Sequence, residues 1–381
     1  MLKKIIPILF LYLFISSCKD VKDSFSSLKI YNAENAIVFI PKELCIDSIS
    51  SDISIIPLET SDDILIWNIR KIHLHRDLLF VIHYDRCSVF DLKGKYLYDI
   101  GSRGNGPGEF TFITLIFFSE DQVCLYDSQQ KRILYYTLEG KYVNYIRVFN
   151  YFDAIREIKK DIFAGLIPVS SSNNINRILF FNKEGNAIDS IQHNNHYPNA
   201  ERIGAFNIDG RLFAYNNNVY LSEGYNDTIF RLSEDLRAIP EYIITTGKYS
   251  VEYEDRILNR EKYINRTYVK FENDRYIISD KTASVSSSGY SLLIDKTTDK
   301  TEAVVFKYNE EMEKLFEDDQ TIVLGNSINI EEGLDIKEYK RRPQTFHING
   351  VSEDGKIGFG IETLREKPFD NPVLVMVKIK E

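Results

Sequence analysis

The chain has 381 residues, with 24 Tyr and 24 Phe against 19 Gly and 10 Pro, and a formal net charge of −9 at pH 7. This composition is rich in strand formers and has no long flexible linker, so one closed β body accounts for the length better than two tethered domains. An acidic body repels phosphate backbones, which argues against nucleic acid as a partner.

The first element in chain order is an export signal. Lys3 and Lys4 precede an apolar run from Ile5 to Ile15, broken by Pro7, and Ser16-Ser17-Cys18 follows. That run is short for a membrane span, which needs ~20 residues at about 1.5 Å each. Small residues directly before a cysteine resemble the bacterial lipoprotein cleavage box, in which the cysteine becomes the acylated first residue of the mature chain. Residues 1–17 are therefore expected to be a lipoprotein signal peptide and residues 18–27 a tether lipidated at Cys18. Several acyl chains there would hold the protein stably at a membrane. The tether, Lys19-Asp20-Val21-Lys22-Asp23, resembles Lys-Asp-rich signals for surface lipoproteins and reads equally well as a solvated linker. The expected address is the cell envelope, as an outer-membrane lipoprotein facing the periplasm or the surface. Cleavage removes Lys3, Lys4 and no acid, taking the net charge from −9 to −11.

Residues 28–381 carry a repeat. Leu78–Tyr84, Ser88–Leu92, the turn Lys93-Gly94 and Lys95–Ile100 read as three strands joined by tight turns. The phrase returns over Gln122–Val148 around Glu139-Gly140, and again over Ile162–Ile191 around Lys183-Glu184-Gly185. The turn glycines 94, 140 and 185 lie 46 and 45 residues apart, a period suited to four-stranded propeller blades. A further strand precedes each phrase, at Asn68–His75, Thr111–Phe118 and Tyr151–Ile158. Looser copies follow at Arg211–Tyr215 with Asp227–Leu232, and at Arg275–Ser279 with Tyr290–Asp295. The last unit uses Thr345–Ile348, Lys356–Ile361 and Val373–Ile379, and a strand near Ala36–Ile40 is expected to close the ring against it. Two charged segments, Val251–Tyr268 and Asn309–Asp318, read as short helical insertions. The fold expected is all-β, a six-bladed β-propeller with four-stranded antiparallel blades.

Three stretches carry a family resemblance: Gly101-Ser102-Arg103-Gly104-Asn105-Gly106-Pro107-Gly108-Glu109-Phe110, Tyr225-Asn226-Asp227-Thr228-Ile229-Phe230-Arg231-Leu232, and Asp370-Asn371-Pro372-Val373-Leu374-Val375. With the blade rhythm, they resemble the six-bladed β-propeller lipoproteins common in Bacteroidetes, relatives of NHL and TolB-like propellers. The resemblance implies a fold and an address but no activity.

No cofactor motif is present. The Gly101–Gly108 loop lacks the Gly-Lys-Ser/Thr ending of a phosphate cradle, so its glycines, Gly106 and Gly108 above all, are expected to serve positive backbone angles. Chain geometry puts this loop on the face that also holds the turns between second and third strands. The candidate ligand residues there are Tyr84, Asp85, Arg86, Arg103, Asn105, Glu109, Asp127 and Lys131, beside the loop carrying Asn173 and Asn174. Three basic groups on an acidic body would attract an anionic ligand. The alternative is that these groups pair with nearby acids and serve the turns. His73 and His75 share one side of a strand, with His83 on its neighbour, and are weak metal candidates without a carboxylate or cysteine to complete the set. His193 and His196 lie in a polar crossing. Cys45, Cys87 and Cys124 lack metal spacing and read as small buried hydrophobes. A single Trp, Trp67, argues against a carbohydrate site built on tryptophan platforms, though tyrosines can stack on sugars.

With no G-x-S-x-G and no distinctive carboxylate pair, the leading reading is a non-enzymatic envelope lipoprotein that binds a peptide, glycan or envelope protein. The alternatives are a propeller enzyme of hydrolase, lactonase or lyase type with a site at the channel mouth, and a structural subunit of an envelope assembly. The anchor is directly testable. The wild-type protein should fractionate with membranes, and Cys18→Ala should release it or leave its signal uncleaved; unchanged processing and fractionation would contradict lipidation.

Overall fold

The computed structural model describes residues 28–36, 41–61, 64–66, 69–119, 121–168, 176–192, 210–223, 226–247, 264–283, 290–316, 322–324, 339–341, 346–352, 355–362 and 371–381. Six sheets form the blades of a β-propeller, with almost no helix. Blade 1 comprises Ile69–His75, Leu78–His83, Arg86–Asp91 and Tyr96–Asp99. Blade 2 runs through Ile113–Ser119, Gln122–Asp127, Arg132–Thr137 and Tyr142–Arg147, and blade 3 through Ala154–Lys159, Ile162–Leu166, Asn176–Asn182 and Ala187–Gln192. Blade 4 holds Gly210–Tyr215, Asn218–Glu223, Thr228–Leu232 and Ala238–Thr245; blade 5 holds Ile264–Glu272, Tyr276–Ala283, Tyr290–Asp295 and Lys300–Lys307. Blade 6 is assembled from both chain ends: Gly350–Val351, Ile357–Glu362 and Val373–Ile379, then Ser50–Pro57.

Burial follows from this radial arrangement. Second and third strands have a neighbouring blade on both sides, so Leu78–His83 and Gln122–Asp127 read as nearly continuous apolar runs and are buried almost throughout. Fourth strands reach the rim, and Tyr142–Arg147 and Ala187–Gln192 are largely exposed. Among the described residues the core divides into six apolar clusters, one in each gap between blades.

The repeat glycines have a common task. Gly94, Gly140 and Gly185 take φ of +82°, +81° and +83°. Their amides donate to the carbonyls of Asp91, Thr137 and Asn182, whose side chains also accept from the turn backbone. A Cβ at Gly94 would lie 1.9 Å from the Pro57 carbonyl, and one at Gly185 would lie 2.2 Å from that of Arg147. Each turn thus packs on the fourth strand of the preceding blade, and Pro57 plays that part for blade 6.

Ring closure differs from the sequence expectation. The strand that closes the ring is Ser50–Pro57, paired antiparallel with Val373–Ile379 from Ser50↔Ile379 to Pro57↔Val373. The described part of the expected segment, Glu34–Ala36, is a 3-10 turn, and residues 37–40 lie outside the described residues. Ser50–Pro57 suits the task because Ile53 and Ile55 pack into the gap between blades 5 and 6 while Ile56 packs into the gap between blades 6 and 1. Upstream, Lys29–Asn32 and Lys42–Cys45 add parallel fifth strands to the outer edges of blades 4 and 5. These two blades therefore depart from the expected four-stranded pattern, and two sheet edges are covered.

The helix expected near Asn309 is present as Glu310–Leu315, capped by the Asn309 side chain accepting from the Met312 amide at 2.9 Å. The other expected helix is corrected at its C-terminal end. Ile264–Glu272 is the inner strand of blade 5, a strand rich in Thr, Tyr, Val and Phe that pairs with Tyr276–Ala283; residues 251–263 lie outside the described residues.

Deletion analysis separates strap from closure. A chain beginning at residue 41 loses only the blade 4 strap and should keep a cooperative melt, lowered by roughly a few degrees. A chain beginning at residue 58 leaves two gaps half-covered and should lose cooperative unfolding by circular dichroism. Equal melting of the two would contradict this assignment of closure.

Candidate functional site

Four antiparallel strands per blade send first–second and third–fourth turns to one face, the turn face, and second–third turns and interblade crossings to the other, the crossing face. The expected ligand residues are on the crossing face, largely engaged with one another and with backbone. Tyr84 is 64 % exposed at φ +43°, its carbonyl accepting from Arg70 Nη2 at 2.6 Å. Arg103 Nη1 lies 3.3 Å from Asp85, whereas Arg86 turns to Asp99, with Nη2 at 2.5 Å. Asp127 is fully buried, accepts from the Thr111 amide at 2.8 Å, and stands 3.5 Å from Arg132. Asn105 Oδ1 accepts from Gln130 at 2.9 Å, and Lys131 donates to the Phe149 carbonyl at 3.3 Å.

In the glycine-rich loop, Glu109 Oε2 accepts from the Gly106 amide at 2.7 Å, so the loop's own carboxylate occupies the place an anion would take. Gly108 has φ +73°, as expected. Gly106 does not have a positive φ; its constraint is the Glu109 carboxylate, 3.0 Å from where a Cβ would stand. Sequence reasoning missed the exposed aromatics of this face. Phe149 is 82 % exposed, the Tyr151 ring centre lies 4.4 Å from Lys131 Nζ, and that of Phe112 lies 4.7 Å from the Arg70 guanidinium.

The histidines do not converge. His75 stacks on Phe118 at 4.1 Å and His73 meets the same ring edge-on, so the two do share a side. His83 pairs in register with Ile69, at the opposite end of the strand from His75. Its Nε2 lies 2.9 Å from Ser88 Oγ, which donates to Asp99 at 2.7 Å; Nε2 therefore carries the proton. Burial pushes His83 down to about 4 and His73 well below the usual imidazole range. Serine, not histidine, is the middle member of this chain, and Ser88 is fully buried, so it is not an activated nucleophile. Among the described residues, no three His, Cys, Asp or Glu side chains gather as a metal site. Cys87 and Cys124 are buried and Cys45 partly so, all as free thiols. Cys18, Trp67, Asn173, Asn174, His193 and His196 lie outside the described residues.

The turn face holds a cavity of about 820 Å³ where the inner strands converge. Leu74, Phe117, Phe118 and Val219 supply apolar wall, and Arg156, Glu157 and Asn217 supply polar groups. The short first strand of blade 6 lets its turn lean across the ring, with Gly355 against the carbonyl of Ala214 in blade 4. Deeper along the axis stands Lys71. It keeps some surface open to the channel, yet protein surrounds it, and burial first, then the charges of Arg156 and Arg211, lower its ammonium to about 8. Asp153 acts in the opposite sense.

A sequence profile described as a domain of unknown function, DUF4934, matches residues 33–378. No curated protein matches the chain. Among solved structures, a "putative exported protein" from Bacteroides fragilis superposes with a TM-score of 0.64 at 17 % identity, covering 93 % of this chain and 99 % of that one. A member of the DUF4221 family from Bacteroides vulgatus gives 0.49 at 8 % identity, covering 87 % and 97 %. Virginiamycin B lyase from Staphylococcus aureus gives 0.45 at 13 % identity, covering 86 % and 100 %. At these identities the likeness is one of fold.

Lys71 makes a pH-dependent contribution to stability. Its folded pKa is lowered, so above about pH 8 the unfolded state binds more protons and stability rises with pH through this group. Lys71→Met should raise the melting temperature at pH 7, and its advantage over wild type should shrink toward the ordinary lysine pKa of about 10.4. An advantage that does not change with pH would contradict a desolvated ammonium.

Proposed function

The chain belongs to the family described as a domain of unknown function, DUF4934, and on that premise we propose that it is an exported, lipid-anchored propeller. In this reading it binds a small ligand, without transforming it, in the turn-face cavity of the central channel. The observation that carries the reading is the cavity itself. About 820 Å³, walled by apolar rings and a few polar groups, suits a short peptide or glycan. The signal segment and Cys18 support the address in the outer membrane, and the exported Bacteroides relative is in keeping with it. No described helix is long and apolar enough to cross a membrane, which leaves the acylated cysteine as the proposed anchor. Kinship with NHL and TolB-like propellers rests on blade rhythm alone.

A second reading places the ligand on the crossing face, around Tyr84, Asp85, Arg86, Arg103, Asn105, Glu109, Asp127 and Lys131. The exposed rings of Tyr84, Phe149 and Tyr151 favour it, since aromatic faces beside cations stack on sugars and peptides. Against it stand the many pairings within that set. An enzyme of hydrolase, lactonase or lyase type would use the channel, and turnover of a bound compound would distinguish it from a binder.

Glycan and peptide arrays on the purified protein test the reading. Ala214→Trp places a large ring at the cavity wall and should abolish binding of any hit, while Tyr84→Ala with Arg103→Ala should leave it intact. The reverse pattern would move the site to the crossing face.

A further inference from the structure

We propose that the channel below the cavity is an anion site, in which Lys71, Arg156 and Arg211 receive a carboxylate or sulfate group of the ligand. The proposal rests on the channel being the ligand site.

Placement comes first. Lys71 and Arg156 are each the third residue of their inner strands, in blades 1 and 3, and Arg211 is the second of its strand in blade 4. Inner strands run in the same direction around the ring, so the three cations stand at similar depth, within about one residue rise of 3.3 Å. Blades 1 and 4 face each other across the axis, and the charges of Arg156 and Arg211 both act on Lys71. Arg156 also lines the cavity, so the cluster is reached from the turn face.

Partnering distinguishes this cluster from the other enclosed cations. Arg177, 1 % exposed, bonds Glu223 at 2.8 Å and the Ile167 carbonyl at 2.9 Å. Lys296 lies 2.6 Å from Glu272, and Arg132 donates to the Glu109 carbonyl at 2.7 Å. Lys71 and Arg211 have no hydrogen bond or ion pair with any described residue, and Asp153 is the acid whose charge bears on Lys71. Enclosed cations without acceptors are costly, and a protein that needed only a filled channel would be served better by apolar side chains. Their donors point to an acceptor supplied from outside. An anionic head with several oxygens satisfies the ammonium and two planar guanidiniums at once, while the rest of the ligand occupies the apolar cavity above. On a body of net charge −9, a cationic well also focuses anions at one place.

Isothermal titration of the full purified protein at low ionic strength, with sodium sulfate and with citrate as separate probes, tests the proposal. One or both should bind with unit stoichiometry and weaken as sodium chloride is added. Binding by citrate alone assigns a carboxylate, and by sulfate alone a sulfate ester. Lys71→Met and Arg211→Met should each lower the affinity at least about tenfold, the effect expected of one charge-assisted contact. Arg103→Ala and Lys131→Ala should not, and thermal melts confirm that each variant is folded. Absence of binding by both probes, or undiminished binding by folded Lys71→Met and Arg211→Met, would overturn the anion site. If array ligands still bind in a manner blocked by Ala214→Trp while both anions fail, the channel reading stands without the anion; if neither binds, both fall.

Discussion

The structure depends on the pairing of Ser50–Pro57 with Val373–Ile379, which joins the two ends of the chain within one blade. An open six-sheet array would leave its terminal faces wet. Closure covers them, because the closing strand sends Ile53 and Ile55 into one gap and Ile56 into the next. Asn371 reinforces the joint, its side chain bonding the carbonyls of Glu59 and Ile64 and the amide of Ile66. That accounts for the Asp370-Asn371-Pro372 motif as a structural device: three backbone groups near the crossing into blade 1 would otherwise lack partners. A central channel exists only because the ring is closed, so the site depends on the same contact.

Electrostatics separates scaffold from site. Where a cation is enclosed between blades, the fold supplies its counterion, as with Arg177 and Glu223, and makes room for it. A Cβ at Gly210 would lie 1.9 Å from Arg177 Nη2, so that strand begins with glycine. At the rim and on the crossing face, Arg103 with Asp85 and Arg86 with Asp99 follow the same pattern and steady the turns. Lys71 departs from it. A desolvated ammonium among other positive groups works against folding, and its persistence at the axis follows if stability is traded for ligand binding.

The fold was legible wherever the repeat kept its turn chemistry. Blades 1 to 3 announce themselves through Asp91, Thr137 and Asn182, each followed three residues later by a glycine at φ near +80°. Blade 4 makes a related turn at Ser233 with Leu236 at φ +63°, so its signature lacks the glycine. Blade 5 was obscured by charges within Ile264–Glu272, a strand set by its pairing partner rather than by local pattern. The closing strand and the straps were not legible because edge pairing is decided by tertiary neighbours, which leave no period in the sequence. Loop length favoured the crossing face as the ligand face, whereas the described cavity opens on the turn face. The cause is the inner-strand geometry: short turns draw back from the axis, and Arg156, Phe117 and Val219 from three blades converge there. Lys71 stood beside the singled-out His73, but nothing local marks a lysine that meets an arginine 85 or 140 residues away.

Crystals of the protein soaked in bromide test the central claim most directly, since anomalous scattering locates the anion without a known ligand. The account predicts a bromide on the ring axis between Lys71, Arg156 and Arg211. Bromide bound instead around Arg103 and Lys131, with the axis empty at that depth, would contradict it.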